Sequence, residues 1–197
     1  MNRSNHAGRF RTTAAAFAVM VLIAGCASQD PSSPSGASDT PLSASGLEDA
    51  SGREVVEKLE RLPLEERPTD FVASVETEAV VMVDDQGNES WVPLPEDEFY
   101  VSVAPYVDQT HECFFHSLTT CVGEMSNEEL EVTVVEEGTG EVLVNETART
   151  HDNGFFGLWL PRDIDAELTI EYDGLTSTAP ISTREGDPTC LTTSQLT

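Results

Sequence analysis

Hydrophobic and polar positions change period once along the chain. Ser51-Gly52-Arg53-Glu54 has the Ser-x-x-Glu form of a capping box, and Val55, Val56, Leu59 and Leu62 follow at helical spacing until Pro63 ends the run. The spacing predicts one short amphipathic helix. From Phe71 onward the period becomes two, over 72–83, 90–94 and 99–107, with Asp84-Asp85-Gln86-Gly87-Asn88 as a turn. After a break at 108–129, alternation resumes over 130–135, 142–147, 155–160, 168–172, 177–181 and 190–196. Turns fall at Gly138-Thr139-Gly140, Asn153-Gly154 and Asp173-Gly174. The expected fold is α+β and predominantly β. A small N-terminal α+β domain spans 47–107, and an antiparallel β-sandwich-like domain spans 108–197.

The first 46 residues fit neither pattern. Arg3, Arg9 and Arg11 precede an apolar run over 14–24 that is shorter than the roughly 20 residues a membrane-spanning helix needs. It ends in Ile23-Ala24-Gly25-Cys26, which resembles the bacterial lipobox, with residues 1–25 as a signal peptide and Cys26 as the lipidated first mature residue. Residues 26–46 are rich in Ser, Pro, Gly and Ala and read as a flexible tether. The expected location is extracytoplasmic: a membrane-anchored lipoprotein, periplasmic or on the outer face of the plasma membrane.

Charge narrows the partners further. The 197 residues hold 10 Lys+Arg against 36 Asp+Glu, a net charge of -26. Removing residues 1–25 takes three Arg and no acid, leaving -29. Such a surface excludes nucleic acid and anionic lipid headgroups as principal ligands. Asn88-Glu89-Ser90 and Asn145-Glu146-Thr147 match the glycosylation sequon but read as ordinary residues in a bacterially exported chain.

Candidate chemistry is concentrated at His111-Glu112-Cys113-Phe114-Phe115-His116-Ser117-Leu118-Thr119-Thr120-Cys121. Cys190 is the remaining thiol of the folded part, so three cysteines serve an oxidising compartment and at most two can pair. A turn over 114–120 would return Cys121 toward Cys113, and Cys190 would approach from the last strand. If they meet, three thiolates with one or two imidazoles select Cu(I), or zinc, over hard cations. Acidic surroundings, with Glu112 and Glu124 close in sequence, are expected to push thiol pKa values upward and so disfavour a cysteine hydrolase. The chain has no Cys-x-x-Cys. The plain alternative is one structural disulfide and one buried free thiol. His151 reads as a surface or turn histidine, and Met82 and Met125 as isolated thioethers, with Met125 the nearer to Cys121. Trp91, Trp159, Phe114 and Phe115 are expected to pack cores or shield the site.

At these residues the sequence resembles the CueP family of periplasmic copper-binding proteins. The stretches that carry the resemblance are HECFFHSLTTC at 111–121, DNGFFGLWLPRD at 152–163 and DPTCLTTSQL at 187–196. The resemblance implies copper held by Cys113, Cys121 and Cys190 with His111 and His116 as helpers, and a homodimer. It also implies copper resistance, delivery to a cuproenzyme acceptor such as Cu,Zn superoxide dismutase, and reduction of Cu(II) to Cu(I) with a thiol reductant for turnover. The lipid anchor departs from family members that are soluble in the periplasm. The expected protein is a copper carrier rather than a conventional enzyme. Its rivals are a disulfide-stapled cell-surface β-sandwich binding module without metal, and a redox protein using Cys113 and Cys121 without metal.

Overall fold

Helix formation starts earlier than composition indicates. The computed structural model describes residues 40–197; the signal segment, Cys26 and the tether up to residue 39 lie outside the described residues. Helix α1 (Pro41–Ser45) occupies the stretch assigned to the end of the tether. Its ends explain it: Thr40 caps the first turn, proline sits at the first helical position, and Gly46 closes it in the left-handed region. Helix α2 (Gly52–Glu60) follows, with both halves of the Ser51/Glu54 capping box formed. Its Val55, Val56 and Leu59 are buried.

Eleven strands follow: β1 (Phe71–Val75), β2 (Ala79–Asp84), β3 (Glu89–Pro93), β4 (Glu98–Val103), β5 (His116–Ser117), β6 (Glu129–Glu136), β7 (Val142–Arg149), β8 (Phe156–Pro161), β9 (Asp165–Tyr172), β10 (Leu175–Ser182) and β11 (Cys190–Leu191). The expected 72–83 run is two strands, because the polar Glu76-Thr77-Glu78 turns the chain and Val75 pairs with Val80. The expected 190–196 strand is only two residues long, continued by a single bridge between Tyr106 and Gln195.

The strands form three sheets, ordered β3-β2-β1-β5, β10-β9-β6-β7 and β11-β4-β8. The second and third sandwich the main core, to which β4 gives Phe99 and Val101, β6 gives Val132 and Val134, and β8 gives Phe156 and Leu158. The first packs against α2 around Val56, Val80 and Met82. Chain from both sides of residue 107 enters two of these sheets: β5 joins β1, and β4 lies between β8 and β11. Among the described residues no helix is long and apolar enough to cross a membrane.

Candidate metal centre

A third, small buried cluster lies where these sheets meet, made by Ala104, Phe155 and Cys190 with Cys113 and Cys121 packed against it. Three separate segments build it. In β5, His116 pairs with Val75 of β1, and its backbone N–H donates to Thr189 Oγ1 at 3.1 Å. Past Ser117 the chain turns: the N–H of Thr120 donates to Ser117 Oγ at 3.2 Å, and that of Cys121 to the Ser117 carbonyl at 3.1 Å. Leu118, fully buried, anchors the turn in the helix-sheet core. The turn returns Cys121 Sγ to 3.6 Å from Cys113 Sγ. Parallel pairing of β11 with Ser102 and Val103 of β4 delivers Cys190, which forms a disulfide with Cys113 at a Cα–Cα distance of 5.7 Å. Cys121 is the free thiol.

A glycine contact pins the far end of the turn. Gly154 has φ of 78°, and a Cβ there would lie 2.7 Å from the Gly123 backbone. Only glycine permits both that conformation and that approach. Arg67 Nη1 donates to the Cys121 carbonyl at 2.7 Å, fixing the same loop from below.

Polar groups behind the sulfurs form a buried chain. His116 is fully buried; its Nε2 meets Glu60 Oε2 at 2.9 Å, while Nδ1 lies 3.8 Å from Cys190 Sγ. Glu60, at the end of α2, also receives Asn153 Nδ2 on Oε1 at 2.8 Å and the Tyr100 hydroxyl on Oε2 at 3.3 Å. Burial opposes charge on the imidazole, but Glu60 and Cys121 outweigh it and push His116 from 6.5 up to about 9. For Glu60 burial acts upward, yet the His116 charge and the hydrogen bonds from His116 and Asn153 hold its carboxyl below the usual value. Burial also raises the Cys121 thiol, but hydrogen bonding to His116 and its charge win, leaving it below the ordinary thiol value.

That last direction reverses the expectation from overall charge. Glu124 is engaged elsewhere, its Oε2 accepting the backbone N–H of Val107, Asp108 and Gln109. A nearby imidazolium then outweighs distant acids, because solvent screens the latter. Cys121 is therefore a thiolate-prone sulfur beside a cationic ring.

Two groups of ligand atoms each converge to within 4.8 Å: His111 with Cys113 and Cys121, and His116 with Cys121 and Cys190. Cys121 belongs to both. The first group is half-buried and the second mostly buried. All are sulfur and imidazole donors, a set that suits a soft metal once the Cys113–Cys190 disulfide is reduced, since only Cys121 is a free thiol while it is closed. All five residues singled out from the sequence thus gather at one locus. His151 does not join them; it lines a surface cleft with Arg61 and Arg149. Met82 and Met125 are buried in the two cores. Trp91 is 58% exposed and Phe114 55%, so neither packs a core. Trp159 instead stacks on Tyr100, with the Arg53 guanidinium over its ring.

Sequence reading passes over Glu60, Asn153, Tyr100 and Arg67. Glu60 carries a signal: it sits four residues after Val56, on the helix face that Val55, Val56 and Leu59 bury. A charge on the apolar stripe marks a buried partner.

The family profile described as periplasmic copper-binding protein CueP matches residues 54–195. The chain belongs to the CueP family. A solved structure, the crystal structure of S.CueP, is 35% identical to it, with a TM-score of 0.73, and the match covers 79% of this chain and 94% of that one. No curated protein matches the chain. The CueP family consists of periplasmic copper-binding proteins, so an extracytoplasmic, copper-binding assignment rests on family membership together with a Cys/His cluster able to hold the metal. The mostly β architecture with a small helical N-terminal part is that of the family.

Proposed function

We propose that this CueP-family chain captures copper outside the cytoplasm and holds it as Cu(I) through Cys113, Cys121 and Cys190, with His116 and His111 assisting. The observation that carries the reading is the convergence of His116, Cys121 and Cys190 donor atoms in a mostly buried group that shares Cys121 with a more accessible group. The half-buried His111/Cys113/Cys121 group is the acquisition side. The His116/Cys121/Cys190 group is the holding side. Cysteine and imidazole are also zinc ligands, and family membership favours copper over zinc.

The cargo is bound or passed on rather than converted by a conventional enzyme mechanism. Two thiols that close to a disulfide release two electrons and two protons, enough to reduce two Cu(II) ions to Cu(I). The Cys113–Cys190 disulfide is the kind of product such a step leaves, with Cys121 and His116 still available as donors. An external dithiol would restore the pair. Cys26 anchors the mature chain to the membrane as a lipoprotein, and a homodimer is the proposed assembly. The acceptor is a cuproenzyme such as Cu,Zn superoxide dismutase, and the outcome for the cell is copper tolerance. The 47–107 and 108–197 halves act as the proposed support and metal-bearing parts.

The disulfide also favours a second reading, a stapled β-sandwich binding module without metal. Anaerobic titration of the reduced protein lacking residues 1–26 with Cu(I), against a competing chelator, separates the two. Tight, stoichiometric binding that disappears in the Cys113→Ser/Cys121→Ser/Cys190→Ser variant is the expected result. Equally weak binding by both proteins would leave the stapled module as the better reading.

A further inference from the structure

Glu60 does not belong to the sulfur cluster, yet it is the group the cluster's histidine faces. It is 2% exposed, and its carboxylate is met by donors from three separate segments. His116 Nε2 and the Tyr100 hydroxyl reach Oε2, and Asn153 Nδ2 reaches Oε1. Asn153 is itself held, because its Oδ1 accepts the Phe155 N–H at 3.0 Å and so directs Nδ2 toward Glu60. A buried carboxylate with one cationic partner costs more than a packed apolar pair, so its presence calls for a role that apolar side chains could not fill. The geometry points to that role, since one imidazole nitrogen is engaged by Glu60 and the other faces the sulfurs.

We infer that Glu60 is a positioning residue for copper, keeping a proton of His116 on Nε2 so that Nδ1, beside Cys121 and Cys190, is the nitrogen that gives up its proton to solvent when Cu(I) binds. This rests on the copper reading above. A carboxylate behind a ligating imidazole fixes the tautomer, the ring orientation and the basicity of the ligand. A purely structural Glu60 would stitch α2 to β5 without affecting which nitrogen meets the metal. The two roles therefore differ in what an imidazole nitrogen spectrum reads.

The test uses the reduced protein lacking residues 1–26 with ¹⁵N-labelled histidine, before and after one equivalent of Cu(I). In the unsubstituted protein, His116 Nε2 is expected to remain protonated after loading while the Nδ1 resonance takes the metal-induced shift. Glu60→Gln, which keeps the side-chain volume, is expected to mix the tautomers and to weaken Cu(I) binding by about tenfold to a hundredfold. Cu(I) on Nε2, or no shift at His116 while the thiolates bind copper, overturns the inference. So does a Glu60→Gln protein with unchanged tautomer and affinity. Should Glu60→Gln fail to fold, the unsubstituted protein still tests the inference, which Cu(I) on Nε2 overturns. Failure of that protein to bind Cu(I) at all would instead overturn the copper reading itself.

Discussion

The Glu60–His116 pair should make the protein lose stability as the pH rises above neutrality. His116 is raised from 6.5 to about 9 in the folded state. Its contribution is fully present below the unfolded value and is lost as pH climbs through about 9, because the unfolded imidazole gives up its proton first. A displacement of that size corresponds to about 3 kcal/mol, a sizeable share of the roughly 5–15 kcal/mol that holds a domain together. Cys121 works in the opposite sense: its lowered thiol pKa contributes stability above the unfolded value and loses it as pH falls. Cys121→Ser removes that opposing slope and the free thiol together, while Glu60, the largest cause raising His116, stays in place. Other groups interfere little. Lys58 is the sole lysine, burial raises the Tyr100 hydroxyl well above its ordinary value, and His151 is lowered by burial, so its effect lies below neutrality. Urea unfolding of the Cys121→Ser protein lacking residues 1–26, at intervals from pH 6.5 to 9.5, should show stability falling with pH by less than about 3 kcal/mol, because Cys121's share in raising His116 is gone and Glu60's remains. His116→Gln in the same background should start less stable and stay flat. A flat profile with His116 present would refute the charged pair.

Three further outcomes follow from the same geometry. Cys121→Ser should weaken Cu(I) binding far more than His151→Ala in a chelator competition, since Cys121 belongs to both donor groups and His151 to neither; equal affinities would remove Cys121 from the site. Gly154→Ala puts a Cβ 2.7 Å from the Gly123 backbone at a φ of 78°, so thermal unfolding should report a loss of about 2 kcal/mol or more, and an unchanged melting temperature would mean the loop is not pinned there. Thiol titration under denaturing conditions should count one thiol in the oxidised protein lacking residues 1–26 and three after reduction; three without reductant would mean that the disulfide does not form.

Local rules make much of the architecture legible. The capping box at Ser51 and Glu54 locates α2, and period-two alternation locates most of the longer strands. The misses have physical causes. Glu76-Thr77-Glu78 continues a polar rhythm that a strand would also show, so the break between β1 and β2 is invisible without pairing information. At two residues, β5 is too short to have a period, and its place is set by hydrogen bonds to β1. Composition marks 26–46 as tether and hides the Thr40-Pro41 start and the Gly46 stop of α1. At the site, residue types point to a soft metal locus, but which cysteines bond is a matter of tertiary distance. The thiol pKa escapes sequence reading for a related reason: net charge averages over the surface, whereas Cys121 responds to one ring beside it.

The site is also a record of chain completion. Glu60 and His116 meet across 56 positions, Glu60 and Asn153 across 93, and Cys113 and Cys190 across 77. Contacts with such separation in sequence form only after the intervening loops have closed, which places them late in folding. A chain cut short before residue 190, or still unfolded, carries cysteines but no assembled pocket. The cluster of Cys113, Cys121 and Cys190 is thereby complete only once the final strand has docked beside β4, so an immature polypeptide offers scattered thiols and the finished one a defined arrangement of them.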